Sequence, residues 1–563
     1  MDSGLGSQSL WRRQVTRRDV LRGTGAIGTA VLAGSIFGCG GSAKQQETAV
    51  AGPSPTPTGP RRGGTLIGAL NSQMADLNPQ RTASAGAATY YFIYDHLFYY
   101  DWNSGKYDLG VAQSIESPDP LTYIFKLKPN AKFQNLPPVN GRPVTSEDIV
   151  VSWKRFVDDP RTGNKGFFTD SVDHYETPEP ATLVVKMKTP NTWAIGPHGL
   201  GAPLPTVIVP KELFENDQLN KVAVGSGAYV LENFDPGSVI SFVRRPDSWH
   251  TPDRPYIDKR VFQVITDAPA RAAALKGKQI DSLLARDKLQ ADEFKGYGPD
   301  MRIQRELFLP FSLLMRADAP DGLFHDVRVR EAVYKALDIQ DLIDRVELGE
   351  GEWEGPVPKS LNAWALPDAE LKKAFPHDVA KAKELLAAAG WDSSREVELK
   401  YPNSEKDSLI CQILQKQLEA AGIRTKLVPQ DRATVWSPQT LTGKNFQLTA
   451  AYYTASRDPD FWLRYHSTQG AGLGNLCRWS DPEVDAIIVR QQREFDFEKQ
   501  RQIILEAQRM LLAKFAPTIN LYSPYNYTAC WEYYHPTGSS FLGIMGQYDW
   551  IDTSSPSYPQ DRR

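Results

Sequence analysis

The stretch LTYIFKLKPNAKFQNLPPVNGRPVTSEDIVVSWKRF, residues 121–156, combines the two patterns that decide the fold class. Apolar and polar side chains alternate in residues 121–129, which predicts a half-buried β-strand, because successive strand residues point to opposite faces. Residues 145–159 begin with a Thr-Ser-Glu-Asp cap and carry apolar side chains at helical spacing, which predicts an α-helix. A strand followed closely by an amphipathic helix indicates a mixed α/β protein.

The same two patterns recur along the rest of the chain. Strands are predicted at 65–70, 182–188, 229–234 and 239–245, and helices at 378–391, 408–423 and 499–517. Gly390, Gly422 and Pro517 are typical helix stops. No internal repeat of about 20 to 50 residues is present, which excludes solenoids and propellers. A chain of 563 residues with this pattern is expected to form several α/β lobes.

The composition is that of an ordinary soluble chain, with 41% hydrophobic and 23% charged residues. The formal charge is −3, and without residues 1–38 the chain holds 59 basic and 65 acidic residues. This mild acidity and the lack of a basic run beyond the N-terminus argue against a nucleic-acid partner.

The cysteines and histidines do not form a recognisable metal site. The four cysteines, Cys39, Cys411, Cys477 and Cys530, include no CxxC pair, and the eight histidines include no HxH or HxxxH pair. His466 raises the alternative of nickel binding, but a surface or core role is the favoured interpretation. The last three cysteines are interpreted as small buried side chains, with a disulfide between two of them left open. We predict no metal and no cofactor.

The N-terminus has the charge order of an export signal: five arginines precede an apolar segment. The segment around Arg17 and Arg18 resembles the twin-arginine consensus, and residues 36–39 resemble a lipobox that ends at Cys39. We therefore predict a twin-arginine signal peptide in residues 1–38. Residues 39–62 are then a lipid anchor and a flexible tether, because they are rich in Ser, Pro, Thr and Gly.

Two other interpretations of the N-terminus fail on context. The GxGxxG sequence at 23–28 lacks a preceding strand and a following acidic residue, both of which a dinucleotide site needs. A membrane-spanning helix is disfavoured because Gly fills seven of the 21 uncharged positions from 23 to 43. No other run of about 18 apolar residues occurs in the chain.

The ordered segments of the chain together resemble the family 5 extracellular solute-binding proteins, the peptide- and nickel-type receptors of ABC importers. The resemblance covers nearly all of the chain from about residue 63 to about residue 530. It rests on residues 63–79, 94–101, 121–156, 224–234, 324–344, 378–391 and 417–423.

This resemblance implies an α/β fold similar to the type II periplasmic binding proteins, with two α/β lobes around a hinged ligand cleft and an additional lobe. Lobe I is expected to comprise 63–108, 224–308 and 527–563, lobe II, the additional one, 109–223, and lobe III 309–526. A ligand that contacts both sides of the cleft favours the closed state, which a permease then recognises. The implied partners are a small-molecule or peptide ligand, an ABC permease with its ATPase, and the twin-arginine translocase for export. The protein is expected to be a monomer, periplasmic or on the outer face of the cytoplasmic membrane.

The resemblance also directs attention to residues 452–459. Many peptide-binding relatives carry Trp-x-x-Asp-x-x-x-Pro here, and the Asp pairs with the α-ammonium group of the ligand. In this chain Tyr452 takes the aromatic position and Ala455 the Asp position. Because an unpaired buried ammonium group costs several kcal/mol, we expect a ligand without a free α-amine there, such as an oligosaccharide, a modified peptide or a metal chelate.

Several other residues are candidates for the cleft. Tyr452 and Tyr453 are expected to stack on a ligand, although strand alternation sends one of them to the core. Asp458 is a candidate anion, with a capping role as the alternative. The remaining candidates are Asn71, Ser72 and Gln73, which follow the first strand, and Trp436; Trp462 and Trp364 are better explained by packing.

A secreted hydrolase is the rival class of protein. No GxSxG elbow follows the signal segment and no HExxH motif occurs, so no catalytic set is recognisable. Glu147 and Asp148 lie in the first turn of a predicted helix, where they complement its dipole. A receptor without enzymatic activity is therefore predicted, serving either transport or a sensor.

Overall fold

The computed structural model describes residues 59–74, 76–80, 91–101, 106–160, 162, 165–196, 199–201, 206–215, 218–250, 254–318, 322–452, 458–468, 475–536 and 546–563. Residues Pro60–Arg563 form one compact unit. The predictions for Arg17, Arg18, Cys39, Tyr453 and Ala455 lie outside the described residues.

Twenty strands alternate with helices along the described part of the chain. They are β1 (Thr65–Leu70), β2 (Phe98–Asp101), β3 (Lys106–Leu109), β4 (Ala112–Asp119), β5 (Thr122–Leu127), β6 (Val172–Glu179), β7 (Thr182–Met187), β8 (Tyr229–Asp235), β9 (Val239–Arg244), β10 (Lys259–Val264), β11 (Ser282–Ala285), β12 (Met301–Leu307), β13 (Phe311–Met315), β14 (Gly351–Trp353), β15 (Glu396–Pro402), β16 (Arg424–Gln430), β17 (Leu448–Ala451), β18 (Thr518–Trp531), β19 (Tyr534–His535) and β20 (Trp550–Ile551).

Thirteen α-helices lie in the same described part. They are α1 (Ser146–Asp158), α2 (Gly166–Asp170), α3 (Glu212–Glu215), α4 (Ala268–Lys276), α5 (Lys288–Lys295), α6 (Val327–Ala336), α7 (Ile339–Val346), α8 (Asp368–Ala374), α9 (Val379–Ala388), α10 (Glu405–Ala421), α11 (Pro459–Arg464), α12 (Pro482–Gln492) and α13 (Phe497–Ala513). A 3-10 helix covers Thr192–Ile195 and a π-helix covers Arg432–Thr442.

The predicted strand and helix of residues 121–159 are confirmed as β5 and α1. The Thr145 side chain accepts the Asp148 N–H, and the Asp148 carboxylate accepts the Thr145 N–H, which forms a capping box. β5 is an inner strand of an antiparallel sheet with the order β4-β5-β7-β6. Trp153 of α1 is fully buried in the core beside this sheet, together with Phe125 and Val185.

A second four-stranded sheet has the order β1-β10-β9-β8, in which β1 runs parallel to β10 and the other pairs are antiparallel. The first strand of the described residues thus pairs with a strand that lies far later in the chain. The predictions of strands at 65–70, 229–234 and 239–245 are confirmed by β1, β8 and β9.

The largest sheet is held together by one long strand, β18. Its first half pairs with β13 and β14, and its second half pairs with β11 and β12. The sheet continues from β13 through β17 and β15 to β16. The boundary predicted between 526 and 527 falls inside β18, and the one between 308 and 309 falls between β12 and β13.

Helix ends agree with the sequence signals. The predicted helices at 378–391, 408–423 and 499–517 correspond to α9, α10 and α13. Gly390 and Gly422 have φ values of +69° and +99°, a conformation that costs glycine little.

Cys411, Cys477 and Cys530 are free and buried, which confirms the interpretation as buried side chains over the disulfide. In the described part of the chain, the helices are too short or too polar to span a bilayer.

Candidate ligand-binding site

The candidate site begins at the carboxyl ends of β15, β16 and β17. These strands are parallel, and the chain leaves β15 towards β16 on one side and returns to β17 on the other. In open α/β sheets, ligands bind outside the strand carboxyl ends at such a switch point. The residues that follow these ends are Asn403–Lys406, Asp431–Arg432 and Tyr452. We call this set the strand-end surface.

A second segment of the chain faces this surface. Residues 286–288 follow β11, and Asp281, directly before β11, accepts the Ile67 N–H of β1 at 2.6 Å. Arg286 lies within electrostatic range of Glu405, and Asp287 lies within range of Lys406. The chain that follows β11 therefore comes near the first turn of α10.

Tyr452 lies at the strand-end surface and is half-buried. The ring packs edge-on against Phe311, 4.9 Å away between centroids, and lies 5.7 Å from Phe308. The hydroxyl is buried beside Tyr522, and burial raises the pKa of this hydroxyl well above its usual value. The hydroxyl is thus turned into the protein, and the exposed part of Tyr452 lies elsewhere in the residue.

Lys406 and Glu347 form a charged cluster beside Tyr452. The Lys406 Nζ lies 5.8 Å from the centre of the Tyr452 ring and 2.9 Å from Glu347. Glu347 also accepts a hydrogen bond from the Tyr522 hydroxyl at 2.9 Å. This charged cluster was not recognised in the sequence; in the structure Lys406 lies shortly after the end of β15.

Arg432 is the exposed cation of the strand-end surface. Its guanidinium lies 5.1 Å from the Trp436 ring centre and donates to the main-chain oxygen of Tyr452 at 3.2 Å. The nearest carboxylate oxygen is that of buried Asp407, 3.7 Å away. About half of the Arg432 side chain is exposed, so the guanidinium can bind an anionic group.

The predicted tryptophans are mainly core residues. Trp436 is 2% exposed and donates its indole N–H to Thr449 at 3.1 Å. Trp462 is also 2% exposed, and the partly buried Trp364 packs on neighbouring aromatic rings. The structure thus places Trp436 beneath Arg432, where its ring supports that cation.

The polar residues after β1 are accessible. Asn71 and Gln73 are exposed, Ser72 is half-buried, and the Gln73 amide lies close to Gly237 in the β8–β9 turn. Their hydrogen-bonding groups are available, and contact with a ligand stays a prediction.

Asp458 has the capping role that the sequence left as an alternative. It is 1% exposed and accepts the Phe461 N–H at 2.6 Å as the N-cap of α11. Burial raises the pKa of its carboxyl to about 6.

His466 is also buried, which lowers the pKa of its imidazole to about 4. In the described residues, no group of three His, Cys, Asp or Glu side chains is placed to hold a metal.

The structure also brings together a serine, a histidine and an aspartate that the sequence analysis did not connect. The Ser248 hydroxyl lies 2.9 Å from His250 Nδ1, and His250 Nε2 lies 3.0 Å from Asp95 Oδ1. Asp95 is buried and also accepts the Tyr99 hydroxyl at 2.5 Å. Ser248 additionally accepts the main-chain N–H of His250, as in a local turn. Catalysis would further require oxyanion donors and space for a substrate.

Comparisons with known proteins agree with this architecture. The family model for bacterial extracellular solute-binding proteins, family 5 Middle, matches residues 106–474. The oligopeptide-binding protein AppA of Bacillus subtilis is 25% identical over 538 residues, which cover 90% of this chain and 95% of AppA.

Two solved structures of similar proteins share the fold. The periplasmic binding protein DppA from Helicobacter pylori, in complex with the peptide STSA, has a TM-score of 0.71 at 20% identity, covering 87% of this chain and 98% of DppA. AgaA from A. tumefaciens R10, in complex with agropinic acid, has a TM-score of 0.71 at 22% identity, covering 87% of this chain and 99% of AgaA. The predicted α/β fold with two lobes is confirmed, and the chain belongs to the family 5 bacterial extracellular solute-binding proteins.

Proposed function

We propose that this protein is the extracytoplasmic receptor of an ABC importer and captures a peptide or a related oligomeric solute in a closing cleft. The observation that carries the proposal is the approach of the segment 286–288 to the strand-end surface, where half-buried Tyr452 lies beside charged groups. A cleft between two joined sheet regions suits a receptor, because a ligand that contacts both sides stabilises the closed state. Family membership and the similarity to oligopeptide-binding AppA support this function.

The ligand is proposed to lack a free α-amine where relatives hold one. The sequence has Ala455 in place of the usual carboxylate, while the described strand-end surface exposes the Arg432 guanidinium. An anionic or capped peptide fits this charge pattern better than a peptide with a free amine at that position. The binding of agropinic acid by AgaA supports a wider range of ligands within this fold. An oligosaccharide or a metal chelate is the alternative.

A thermal-shift screen of the full chain tests the ligand class. The panel contains free tripeptides, the same tripeptides with an N-terminal acetyl group, oligosaccharides and nickel with histidine. A ligand at a hundredfold excess over its Kd stabilises the fold by about 2.7 kcal/mol. We expect the acetylated peptides to stabilise the protein more than the free ones. Equal or greater stabilisation by the free tripeptides would contradict the predicted loss of the amine anchor.

We further propose the lobe boundaries 63–108 with 224–308 and 527–563, 109–223, and 309–526, and export of a monomer by the twin-arginine translocase. Replacing Arg17 and Arg18 together by Lys is expected to abolish export, whereas Cys39→Ser is expected to release the exported protein from the membrane. Cell fractionation measures both outcomes. An unchanged distribution of either variant would contradict the corresponding prediction.

A hydrolase is the second candidate, because Ser248, His250 and Asp95 form a hydrogen-bonded chain. We expect this chain to anchor the turn at residues 248–250 without enzymatic activity. The test is labelling of the purified protein with a fluorophosphonate, which reacts with activated serines. Labelling that disappears in Ser248→Ala would favour the hydrolase over the receptor alone.

A further inference from the structure

Two residues that lie far apart in the chain make a contact between the predicted lobe II, residues 109–223, and the predicted lobe III, residues 309–526. The indole N–H of Trp193, in the 3-10 helix, donates to Gln491 Oε1 of α12 at 2.9 Å. The Trp193 ring also meets Trp364 edge-on at 5.5 Å between centroids. Beside it, the Gln500 amide donates to the Thr192 hydroxyl at 2.7 Å. The 3-10 helix is therefore attached to the predicted lobe III by both aromatic packing and hydrogen bonds.

The same glutamine continues the contact towards the ligand site. Gln491 is fully buried, and its Nε2 donates to Asp460 Oδ1 in α11 at 2.5 Å. Asp460 is 2% exposed and lies 3.0 Å from the Arg464 guanidinium, also in α11. α11 follows Tyr452 in the chain after only six residues and begins at the Asp458 cap. A hydrogen-bond chain thus links the 3-10 helix to the helix that follows the strand-end surface.

The donors and acceptors of the neighbouring side chains fix the orientation of the Gln491 amide group. Gln491 has one amide oxygen and one amide nitrogen, and Asp460, which is an acceptor when ionised, requires the nitrogen. The oxygen is consequently turned to Trp193, whose indole is only a donor. If the two sides separated, the Gln491 oxygen and the indole N–H would both lose this partner, and the Trp193–Trp364 contact would be lost with them.

We propose that Trp193, Gln491 and Asp460 form a latch that favours the closed cleft and couples closure to the position of α11. This inference rests on the proposed function, since it requires a cleft that opens and closes. In the latch, Gln491 is a positioning residue: its amide nitrogen binds Asp460, which also accepts the Gln492 amide at 2.8 Å, while its oxygen accepts the Trp193 indole. Loss of the latch lowers ligand affinity without removing any group that contacts the ligand.

The test measures closure directly, so that it does not depend on knowing the ligand. Spin labels are attached at Thr177→Cys and Lys383→Cys, which are exposed positions in the two predicted lobes, in the full chain with Cys39→Ser. The remaining cysteines are buried. Pulsed electron paramagnetic resonance gives the distribution of distances in the protein without added ligand. We expect Trp193→Phe and Gln491→Leu each to lower the ratio of closed to open molecules about two- to tenfold.

Trp353→Phe is the matched control. The Trp353 indole also donates to a glutamine, Gln340, at 3.0 Å, but both residues lie in the same predicted lobe. We expect this variant to keep the distance distribution of the parent. Hydrogen exchange of α11 is expected to rise in Gln491→Leu and to stay unchanged in Trp353→Phe.

Two results would overturn the latch. One is a distance distribution that is the same in Trp193→Phe, Gln491→Leu and the parent; the other is a parent protein with no closed population. Either can occur while acetylated peptides still stabilise the protein, which would leave the proposed function in place. Conversely, failure of every ligand in the thermal-shift panel, with latch variants that shift the distribution, would reject the ligand class and retain the latch.

Discussion

The buried Glu354 carboxyl group accepts the main-chain N–H of Lys359 at 2.8 Å. Glu354 is fully buried, and the desolvation of its carboxyl raises the pKa from 4.5 to about 8. The folded protein therefore holds a proton at neutral pH that the unfolded chain releases.

The raised pKa of Glu354 predicts how the free energy of unfolding changes with pH. Between pH 4.5 and about 8 the native state binds more protons at Glu354 than the unfolded state, so this residue lowers stability as the pH rises, by up to about 1.4 kcal/mol per pH unit. Glu354→Gln removes the titrating group and is expected to flatten the fall in unfolding free energy over this range. Urea unfolding at several pH values measures it, with exposed Glu384→Gln as the control. An equal slope in both variants would show that Glu354 is ionised in the folded protein.

The capping box of α1 is expected to contribute strongly to the free energy of unfolding. Asp148 is fully buried and binds Arg142 through two hydrogen bonds of 2.6 and 2.8 Å. Asp148→Ala leaves Arg142 with Glu212 and removes the carboxylate half of the capping box, which binds the Thr145 N–H and hydroxyl, so we expect a loss of about 2–4 kcal/mol in the free energy of unfolding. Asp158→Ala, at the exposed end of the same helix, is expected to change it by about 0.5 kcal/mol or less. Similar losses in the two variants would contradict the role of the cap.

Tyr452 is predicted to act through its ring. The hydroxyl is buried although the residue as a whole is only half-buried, so Tyr452→Phe is expected to keep ligand affinity within about twofold. Tyr452→Ala removes the stacking surface and is expected to weaken binding at least about tenfold. Calorimetry with the best acetylated peptide from the screen gives both values. A large loss of affinity in Tyr452→Phe would instead place the hydroxyl in contact with the ligand.

Arg432 is predicted to select ligands with an anionic group. Arg432→Gln is expected to weaken binding of an acetylated peptide with a free carboxylate more than binding of its amide, because the guanidinium pairs with the carboxylate. The Arg424 side chain, exposed at the opposite end of β16, provides Arg424→Gln as a control of equal charge. Equal effects of the two variants would indicate a general effect of charge.

His466 is expected to stay uncharged through the neutral range. Burial lowers the pKa of its imidazole from 6.5 to about 4, so the unfolded chain binds the proton first as the pH falls from 6.5. Stability from this residue is thus lost between pH 6.5 and about 4. NMR of the His466 ring is expected to show no titration above pH 5, with exposed His174 titrating as the reference. Titration of His466 near pH 6.5 would contradict its burial.

Local elements could be predicted from the sequence because their signals are local. The Thr145–Asp148 cap, the alternation in β5 and Gly422 after α10 each lie within a few residues of the structure that they specify. The ordered segments of the chain also sufficed for the family, and hence for the two-lobe α/β fold.

Burial could be predicted less well. Trp436 and Tyr452 are both aromatic residues near strand ends, yet Trp436 is packed beneath Arg432 and Tyr452 is only half-buried. Which of the two is covered depends on how the π-helix packs on β15 and on the contacts made by Phe308 and Phe311. These partners are distant in the chain.

The sequence by itself determined the alternation of strands and helices, their caps and the family, because these depend on residues close together in the chain. Only the tertiary structure decided that β18 joins two sheet regions, that residues 286–288 approach α10, and that Trp193 meets Gln491. Such contacts join segments that are tens to hundreds of residues apart. They arise from the packing of whole elements, which no local pattern of side chains encodes.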